Sequence, residues 1–368
     1  MTTIPKALAI WFPLVPRARP ICAPLEQRIS DVTSMAHGAA TATEAAAALN
    51  LTTLIASDIG AQGIAADMCW RQFHAFAKRA PLDTMTAGLA MEPIINLARL
   101  AVREGDGDRA HQILDRTLTA ANDATSVAID SDTVDFADLT PETESRHAAR
   151  ERLWIAMLSD GTRALTRAGR WAEALQALQR HNGIGDRLLD GRQTAIITRY
   201  ITGDLTSAIT MIADTAAIDP WEQVLAAYLE TCCAILSGTA NATSCSRLVQ
   251  QYLQLELPTE QQLFQIRLGL STLELAHFTR ADTDMLVKKL GHVALEVKDA
   301  YAARDLMSNQ HFVLLGQSEA LADLRTLLSE SGLGFNAASN LQRQRLNVAF
   351  DVGLTRLCSL IAEPAPTQ

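Results

Sequence analysis

One loop near the middle of the chain gathers the residue types that acid–base chemistry needs. Glycines at positions 183, 185 and 191 alternate there with polar side chains, namely His181, Asp186, Arg187, Asp190 and Arg192. An imidazole, carboxylates and guanidinium groups on a glycine-rich loop can assemble a general acid–base site. We therefore take His181, Asp186 and Arg187 as the candidate catalytic residues. The alternative is a tight connection between two helices with no chemistry of its own.

Elsewhere the sequence lacks the spaced motifs of common enzymes and metal sites. It contains no His-Glu-x-x-His, no Gly-x-Ser-x-Gly, no paired metal cysteines and no dinucleotide-binding glycine pattern. The eight histidines are scattered, and the six cysteines have the pattern of small buried apolar residues in a reducing compartment. We predict no metal ion and no cofactor, and these absences favour a non-catalytic protein over an enzyme.

Composition and charge point to a helical, acidic protein. Hydrophobic residues make up 48% of the chain and aromatic residues only 5%, which favours helices packed through small side chains over a sheet-rich fold. The net charge of −9 argues against a partner that is nucleic acid or an anionic membrane. No apolar run reaches the roughly 18 residues of a membrane span. The apolar stretch after Lys6 is interrupted by Pro13 and Pro16, so we predict a cytoplasmic location rather than a signal peptide.

A short pattern recurs along the chain at a nearly fixed period. At Gly169 and again at Gly203, a glycine is followed five residues later by an alanine and nine residues later by an aliphatic residue. The two glycines are 34 residues apart (203 minus 169), a spacing typical of helix–turn–helix repeats. Glycine suits the left-handed turn that ends the first helix, and alanine lets the second helix pack closely. The same pattern starts at Gly60 and Gly105, and more loosely at Gly238, where Thr243 takes the alanine position.

The best copy of this pattern resembles the tetratricopeptide repeat family. The family signature of Gly, an aromatic residue two positions on and Ala five positions on is matched at Gly169, Trp171 and Ala174. The resemblance implies an all-α fold, a right-handed α–α solenoid. Here we expect it to carry a small β-hairpin insertion, because the residues around Val127 and Val134 alternate in hydrophobicity on both sides of a polar turn.

In that family the first helix of each pair lines a concave groove. Carried over by distance from each turn glycine, the groove positions in this chain are Asn50, Asp58, Glu92, Arg99, Arg103, Arg163, Arg167, Asp190, Gln193, Tyr200 and Tyr228. Four of them are arginines from two adjacent repeats, which predicts a clamp for a carboxylate or phosphate. The alternative is that these arginines pair with neighbouring acids such as Glu92 or Asp106.

We divide the chain into four segments on this basis. We expect an extended N-terminal arm over 1–23, helical repeats over 24–258 with the hairpin at about 124–140, further helical repeats and a cap over 259–362, and a flexible tail over 363–368. Trp11 and Phe12 are expected to pin the arm by packing.

The sequence favours a cytoplasmic adaptor that binds a peptide or a partner protein in the groove. A ligand-sensing regulatory module that acts through a separate effector is the first alternative, and an enzyme or enzyme accessory that uses the 181–192 loop is the second. Neither the identity of the ligand nor the oligomeric state follows from the residues.

Overall fold

A computed structural model describes residues 5–334 and 338–362, and the predicted tail over 363–368 lies outside the described residues. The described residues are mostly helical, with 75% of them in helices and one small antiparallel sheet of two strands, so the all-α prediction is confirmed. Within the described residues, every helix is too short or too polar to cross a bilayer.

The first half of the chain contains nine helices and one hairpin among its described residues. The helices are α1 (Lys6–Trp11), α2 (Leu25–Gly38), α3 (Ala42–Asp58), α4 (Gln62–Ala77), α5 (Thr84–Glu104), α6 (Gly107–Asp123), α7 (Phe136–Leu139), α8 (Thr143–Ala156) and α9 (Thr162–Arg167). The strands are β1 (Ser126–Ile129) and β2 (Asp132–Asp135), and a π-helical turn, Met157–Gly161, joins α8 to α9.

Among its described residues, the second half of the chain continues with helices and no strand. They are α10 (Trp171–Arg180), α11 (Asp190–Thr202), α12 (Leu205–Ala213), α13 (Pro220–Leu236), α14 (Ala242–Leu253), α15 (Gln262–Thr279), α16 (Asp284–Val297), α17 (Ala300–Met307), α18 (Gln310–Leu315), α19 (Ser318–Ser331) and α20 (Asn340–Leu360). A short 3₁₀ turn, Thr259–Gln261, precedes α15.

The chain packs as two compact units, each made of two separate stretches. Unit 1 comprises Met1–Pro24 and Leu165–Ser331, and unit 2 comprises Leu25–Ala164 and Gly332–Gln368. The expected linear order of repeats over 24–258 followed by a cap over 259–362 does not match this division. The last long helix, α20, packs mainly against α2, α3 and α4, which lie near the start of the chain, and not against the helices immediately before it. Hydrophobic spacing within α20 could not indicate which distant helices would receive its apolar face.

The predicted turn glycines have the backbone conformation that their role requires. Gly60, Gly105, Gly169, Gly203 and Gly238 all have φ angles between 72° and 85°, in the left-handed region where glycine avoids the steric penalty of other residues. Four of the alanines that follow by five residues, at positions 65, 110, 174 and 208, are fully buried. The helix after Gly238 is the exception.

Thr243 does not take the alanine position after Gly238. The turn there is longer, because α14 has Asn241 as its N-cap residue, whereas α6 and α12 are capped by the residue next to the glycine. The fourth residue of α14 is therefore Cys245, which is completely buried, whereas Thr243 is exposed. The turn is two residues longer here, so the packing position is shifted from residue 243 to Cys245.

The predicted hairpin is present and belongs to unit 2. Ser126 pairs with Asp135 and Ile129 pairs with Asp132 in antiparallel register. Val127 and Val134 turn inward, and the carboxylate of Asp135 accepts the amides that start α7. Asp130, in the turn, accepts a hydrogen bond from Arg109 at 2.7 Å, so these acids cap and anchor the hairpin.

The N-terminal stretch 1–23 is not wholly extended, because it contains α1. Its Lys-Ala-Leu-Ala sequence consists of good helix formers, and both of the first helical amides donate to the carboxylate of Glu274. Pro13 disfavours the helical conformation for Phe12, whose ψ of 149° ends the helix. Beyond it, no regular secondary structure is present until α2.

The packing of α20 in unit 2 gives a direct test. Phe350 is fully buried, whereas Val348, two residues earlier on the same helix, is 53% exposed. We expect Phe350→Ala to lower the free energy of unfolding by about 3 to 5 kcal/mol, as for other buried aromatic truncations, and Val348→Ala to change it by less than about 0.5 kcal/mol. Urea titration followed by circular dichroism measures both. Equal, small losses for the two variants would show that α20 is not part of the core.

Candidate functional site

Unit 2 has a cleft on the face formed by its first helices, meaning the helices that come before the turn glycines. Its volume is about 420 Å³, and it is lined by Thr43, Ala46, Ala47 and Asn50 of α3, Met85, Gly88, Leu89 and Glu92 of α5, and Arg152 of α8. Alanine and glycine leave room between the two helices. Met85 is 54% exposed at the cleft wall, so an apolar surface faces solvent there.

A row of polar side chains begins at one end of this cleft and follows α5. Glu92, Asn96, Arg99 and Arg103 recur at helical spacing, which puts them on one face of the helix. The amide of Asn96 donates to Asn50 at 3.0 Å. Glu92 forms an ion pair with Arg152 and lies 3.7 Å from Arg99. The structure places the predicted positions Asn50 and Glu92 on the lining of one cleft. Arg152 also lines it but was not among the predicted positions, because α8 follows the inserted hairpin.

The predicted arginine clamp is divided among existing ion pairs. Arg99 contacts Asp160 at 2.9 Å, and Arg103 contacts Asp58 at 2.8 Å. Arg163 is half-buried, and Arg167 is exposed and belongs to unit 1. The alternative weighed for the sequence, that these arginines pair with acids of their own protein, describes Arg99 and Arg103.

Asp58 is the centre of a buried charge cluster. Its carboxylate, only 2% exposed, forms ion pairs with Arg28 of α2 and Arg103 of α5. Its backbone carbonyl accepts the amide of Gly334. Two guanidinium groups share one carboxylate, so the cluster ties α2, α3, α5 and the stretch before α20 together. A buried carboxylate with these partners acts as a structural link.

In unit 1, three of the four groove positions predicted on α11 and α13 contact the N-terminal segment. The side-chain oxygen of Gln193 accepts the amide of Leu14 at 2.7 Å, and its nitrogen donates to the carbonyl of Leu14 at 2.8 Å. Asp190 pairs with Arg17 at 2.5 Å. The ring of Tyr228 stacks on Phe12 with centroids 5.3 Å apart. The fourth predicted position, Tyr200, is buried, and this burial raises the pKa of its phenol.

The glycine-rich loop over 181–192 is held by its own cations. Arg187 forms ion pairs with Asp219 and, at 2.8 Å, with Glu222. Arg192 donates to Thr215 at 2.7 Å and to the backbone carbonyls of Gly185 and Met211. The side chain of Asp186 is 93% exposed and lies 3.9 Å from Arg192. Two of the cations proposed for chemistry therefore stabilise the loop.

Glu222 organises this loop, although the sequence analysis did not single it out. Its side chain is fully buried and accepts the backbone amides of Leu188, Ile218 and Asp219. Burial alone would raise the pKa of Glu222, but Arg187 and the backbone amides hold that pKa below its usual range. The Asp-Pro-Trp-Glu sequence that opens α13 is a capping box, a signal that could have located it.

Among the described residues, no three His, Cys, Asp or Glu side chains are grouped so as to hold a metal ion. Burial raises the pKa of Cys232 and of Cys233, the latter to about 11. A thiol with a raised pKa is a poor nucleophile at neutral pH. These cysteines fit the role of small core residues.

Gly185 in the loop and Gly191, the second residue of α11, provide a matched test of how closely the loop packs on that helix. A Cβ atom added at Gly191 would overlap the carbonyl oxygen of Gly183, whereas one added at Gly185 would meet open space. We expect Gly191→Ala to lower the free energy of unfolding by at least about 2 kcal/mol, as overpacking against backbone does, and Gly185→Ala to be nearly neutral. Urea unfolding checks both variants. A neutral Gly191→Ala would mean that the loop is loose.

The lowered pKa of Glu222 predicts a pH dependence. A carboxylate with a depressed folded pKa stabilises the fold above its ordinary pKa, 4.5, and that stability is lost as the pH falls through the folded value. We expect Glu222→Gln to lower the free energy of unfolding at neutral pH by about 2 kcal/mol. The difference from the native protein should narrow below pH 4.5. Glu173→Gln, which removes a half-exposed carboxylate, is the control. A difference that is independent of pH would contradict the assignment.

Comparisons of this chain with protein-family models, with curated proteins and with solved structures find no match.

Proposed function

We propose that this protein is a cytoplasmic adaptor that binds a peptide or a partner protein on the first-helix face of unit 2, and that its helix pairs stack as repeats of the tetratricopeptide type. The main observation that supports this proposal is the cleft between α3 and α5. Its lining includes Asn50 and Glu92, two of the groove positions that the repeat resemblance implies. Left-handed glycine turns and buried alanines in successive helix pairs support the repeat interpretation.

The walls and the end of the cleft suit different parts of a peptide. Ala47, Leu89 and Met85 offer an apolar surface for one aliphatic or aromatic side chain. Asn50 and Arg152 lie beside it, and both carry N–H donors that can meet a peptide carbonyl or a carboxylate. Because Glu92 already pairs with Arg152 and Arg99, the polar end is held in place before a ligand arrives. A preorganised site loses less conformational entropy on binding.

Unit 1 supports the same function by analogy. The first helices there hold an extended stretch of polypeptide, and Gln193 bonds to both backbone groups of Leu14. Side chains on first helices of this protein are therefore able to hold a peptide backbone, and unit 2 presents a comparable face with an open cleft.

Gly88 allows the cleft to be filled without disturbing the fold. It lines the cleft, and a Cβ atom added there meets nothing within 4 Å. We expect Gly88→Phe to weaken binding of peptides selected from a random display library on the native protein by at least about tenfold, equivalent to about 1.4 kcal/mol. Fluorescence anisotropy with labelled peptides measures the affinity.

Gly63→Phe is the matched control, because Gly63 is on α4, away from the cleft, and is equally open around its Cα. Native affinity in Gly63→Phe together with weak binding in Gly88→Phe supports the proposal. Selected peptides that bind Gly88→Phe as tightly as the native protein would contradict it. The ligand-sensing alternative would be favoured if small molecules stabilise the native protein but not Gly88→Phe, and if no selected peptide stabilises the native protein.

A further inference from the structure

The N-terminal segment, residues 6–22, is held on unit 1 through its backbone as well as through buried apolar side chains such as Leu8, Phe12 and Leu14. Glu274 accepts the amides of Lys6 and Ala7 at 2.7 and 2.8 Å, and Gln193 bonds to both backbone groups of Leu14. Asp299 accepts the amide of Cys22 at 3.0 Å. These contacts come from side chains of α11, α15 and the residue before α17. They hold any peptide of the same path, whatever its side chains.

Two side chains of the segment add specificity. Phe12 is fully buried against Tyr228, and Thr166 donates to its carbonyl at 3.3 Å. Arg17 pairs with Asp190, which is 11% exposed, while Arg17 itself remains 40% exposed. Phe12, Pro13 and Leu14 are buried in succession. The contacts thus describe a short motif of aromatic, proline and aliphatic residues followed three positions later by a basic residue.

Beyond α1, the segment shares two features with a bound peptide. From Phe12 to Pro24 it has no regular secondary structure. Its backbone groups are satisfied by side chains of Gln193, Thr166 and Asp299, as in complexes of proteins with peptides. It continues directly into α2, which belongs to unit 2, so this end of the segment is a tether.

We propose that this face of unit 1, defined by Thr166, Asp190, Gln193, Tyr228, Glu274 and Asp299, is a peptide-binding groove that segment 6–22 fills as an internal ligand. Its partner is a separate peptide with the same motif, aromatic-Pro-aliphatic followed by a basic residue. The tether gives the segment an effective concentration of the order of millimolar, so the partner peptide binds after the segment is released. This groove is distinct from the cleft of unit 2, and its test is independent of that cleft.

The test uses the full chain with a protease recognition site inserted between Cys22 and Leu25. After folding and cleavage, the segment keeps its native sequence but loses its tether. A fluorescein-labelled synthetic peptide of residues 5–23 is then added, and exchange is followed by anisotropy. We expect the labelled peptide to replace the cut segment. A peptide with Phe12→Ala and Arg17→Ala should bind at least about 100-fold more weakly, from the loss of a buried aromatic anchor.

Variants of the groove complete the design. Gln193→Leu removes the side chain that holds Leu14. It should lower the affinity of the cleaved protein for the labelled native peptide by at least about tenfold. Gln265→Leu is the matched control, because Gln265 is also buried in unit 1 but bonds to Leu255. Binding in that variant should equal binding in the cleaved parent.

Three results would overturn the proposal. A cut segment that never exchanges, or cleaved protein that loses helical circular dichroism when the segment leaves, would make residues 6–22 part of the core. Equal binding of the native and substituted peptides would show that the groove does not recognise the proposed motif. Dimers formed by exchange of the segment between two uncut chains, detected by light scattering, would show that the partner is a second copy and not a separate peptide.

Discussion

The left-handed glycine turn is the constraint on which both units depend. Gly60 and Gly105 end the first helices of unit 2, and Gly203 and Gly238 do the same in unit 1. Other residues carry a cost of about 1 kcal/mol or more in this conformation, so these four reversals of the chain are fixed at the glycines. The next helix then starts at a defined place, and its fourth residue packs at the contact between the two helices. Glu92 of α5 and Gln193 of α11 lie on the faces that we propose for peptide binding.

Sequence analysis could predict what depends on short spacing. The turn glycines, the buried alanines and the hairpin all follow from residues within a few positions of one another. It could not predict contacts between residues hundreds of positions apart, such as the amide of Lys6 with Glu274, 268 residues away. The C-terminal helix shows the same limit, because its apolar stripe fits many helices equally well. Cys245 was missed for a smaller reason, since a turn longer by two residues shifts the register of the pattern.

The arginines of unit 2 show why residue type alone does not define a ligand site. The chain has 41 acidic and 32 basic residues, so an arginine on a helix face readily finds a carboxylate of its own protein. Arg99 pairs with Asp160 and Arg103 with Asp58, and an incoming anion would have to compete with them. The competition is unequal, because Asp58 is buried whereas the pair of Arg99 is exposed to solvent and screened by salt. In the proposed site, ligand recognition therefore falls to Asn50, Arg152 and the apolar walls of the cleft.

The faces that we propose for peptide binding in the two units differ in occupancy: residues 6–22 cover the face of unit 1, whereas the cleft of unit 2 is open. In unit 1, Gln193 recognises the backbone and therefore accepts many sequences, while the stacking of Phe12 on Tyr228 and the pairing of Arg17 with Asp190 separate a fitting peptide from other chains. A groove that bonds mainly to the backbone would bind extended polypeptide indiscriminately if it were left open. Covalent attachment of a well-fitting segment prevents this, because a competitor must overcome a local concentration that dilute chains do not reach. The cleft of unit 2 combines apolar residues with the charged pair of Glu92 and Arg152. In our proposal its discrimination rests on side chains of the ligand, so it can remain open without the same loss of specificity.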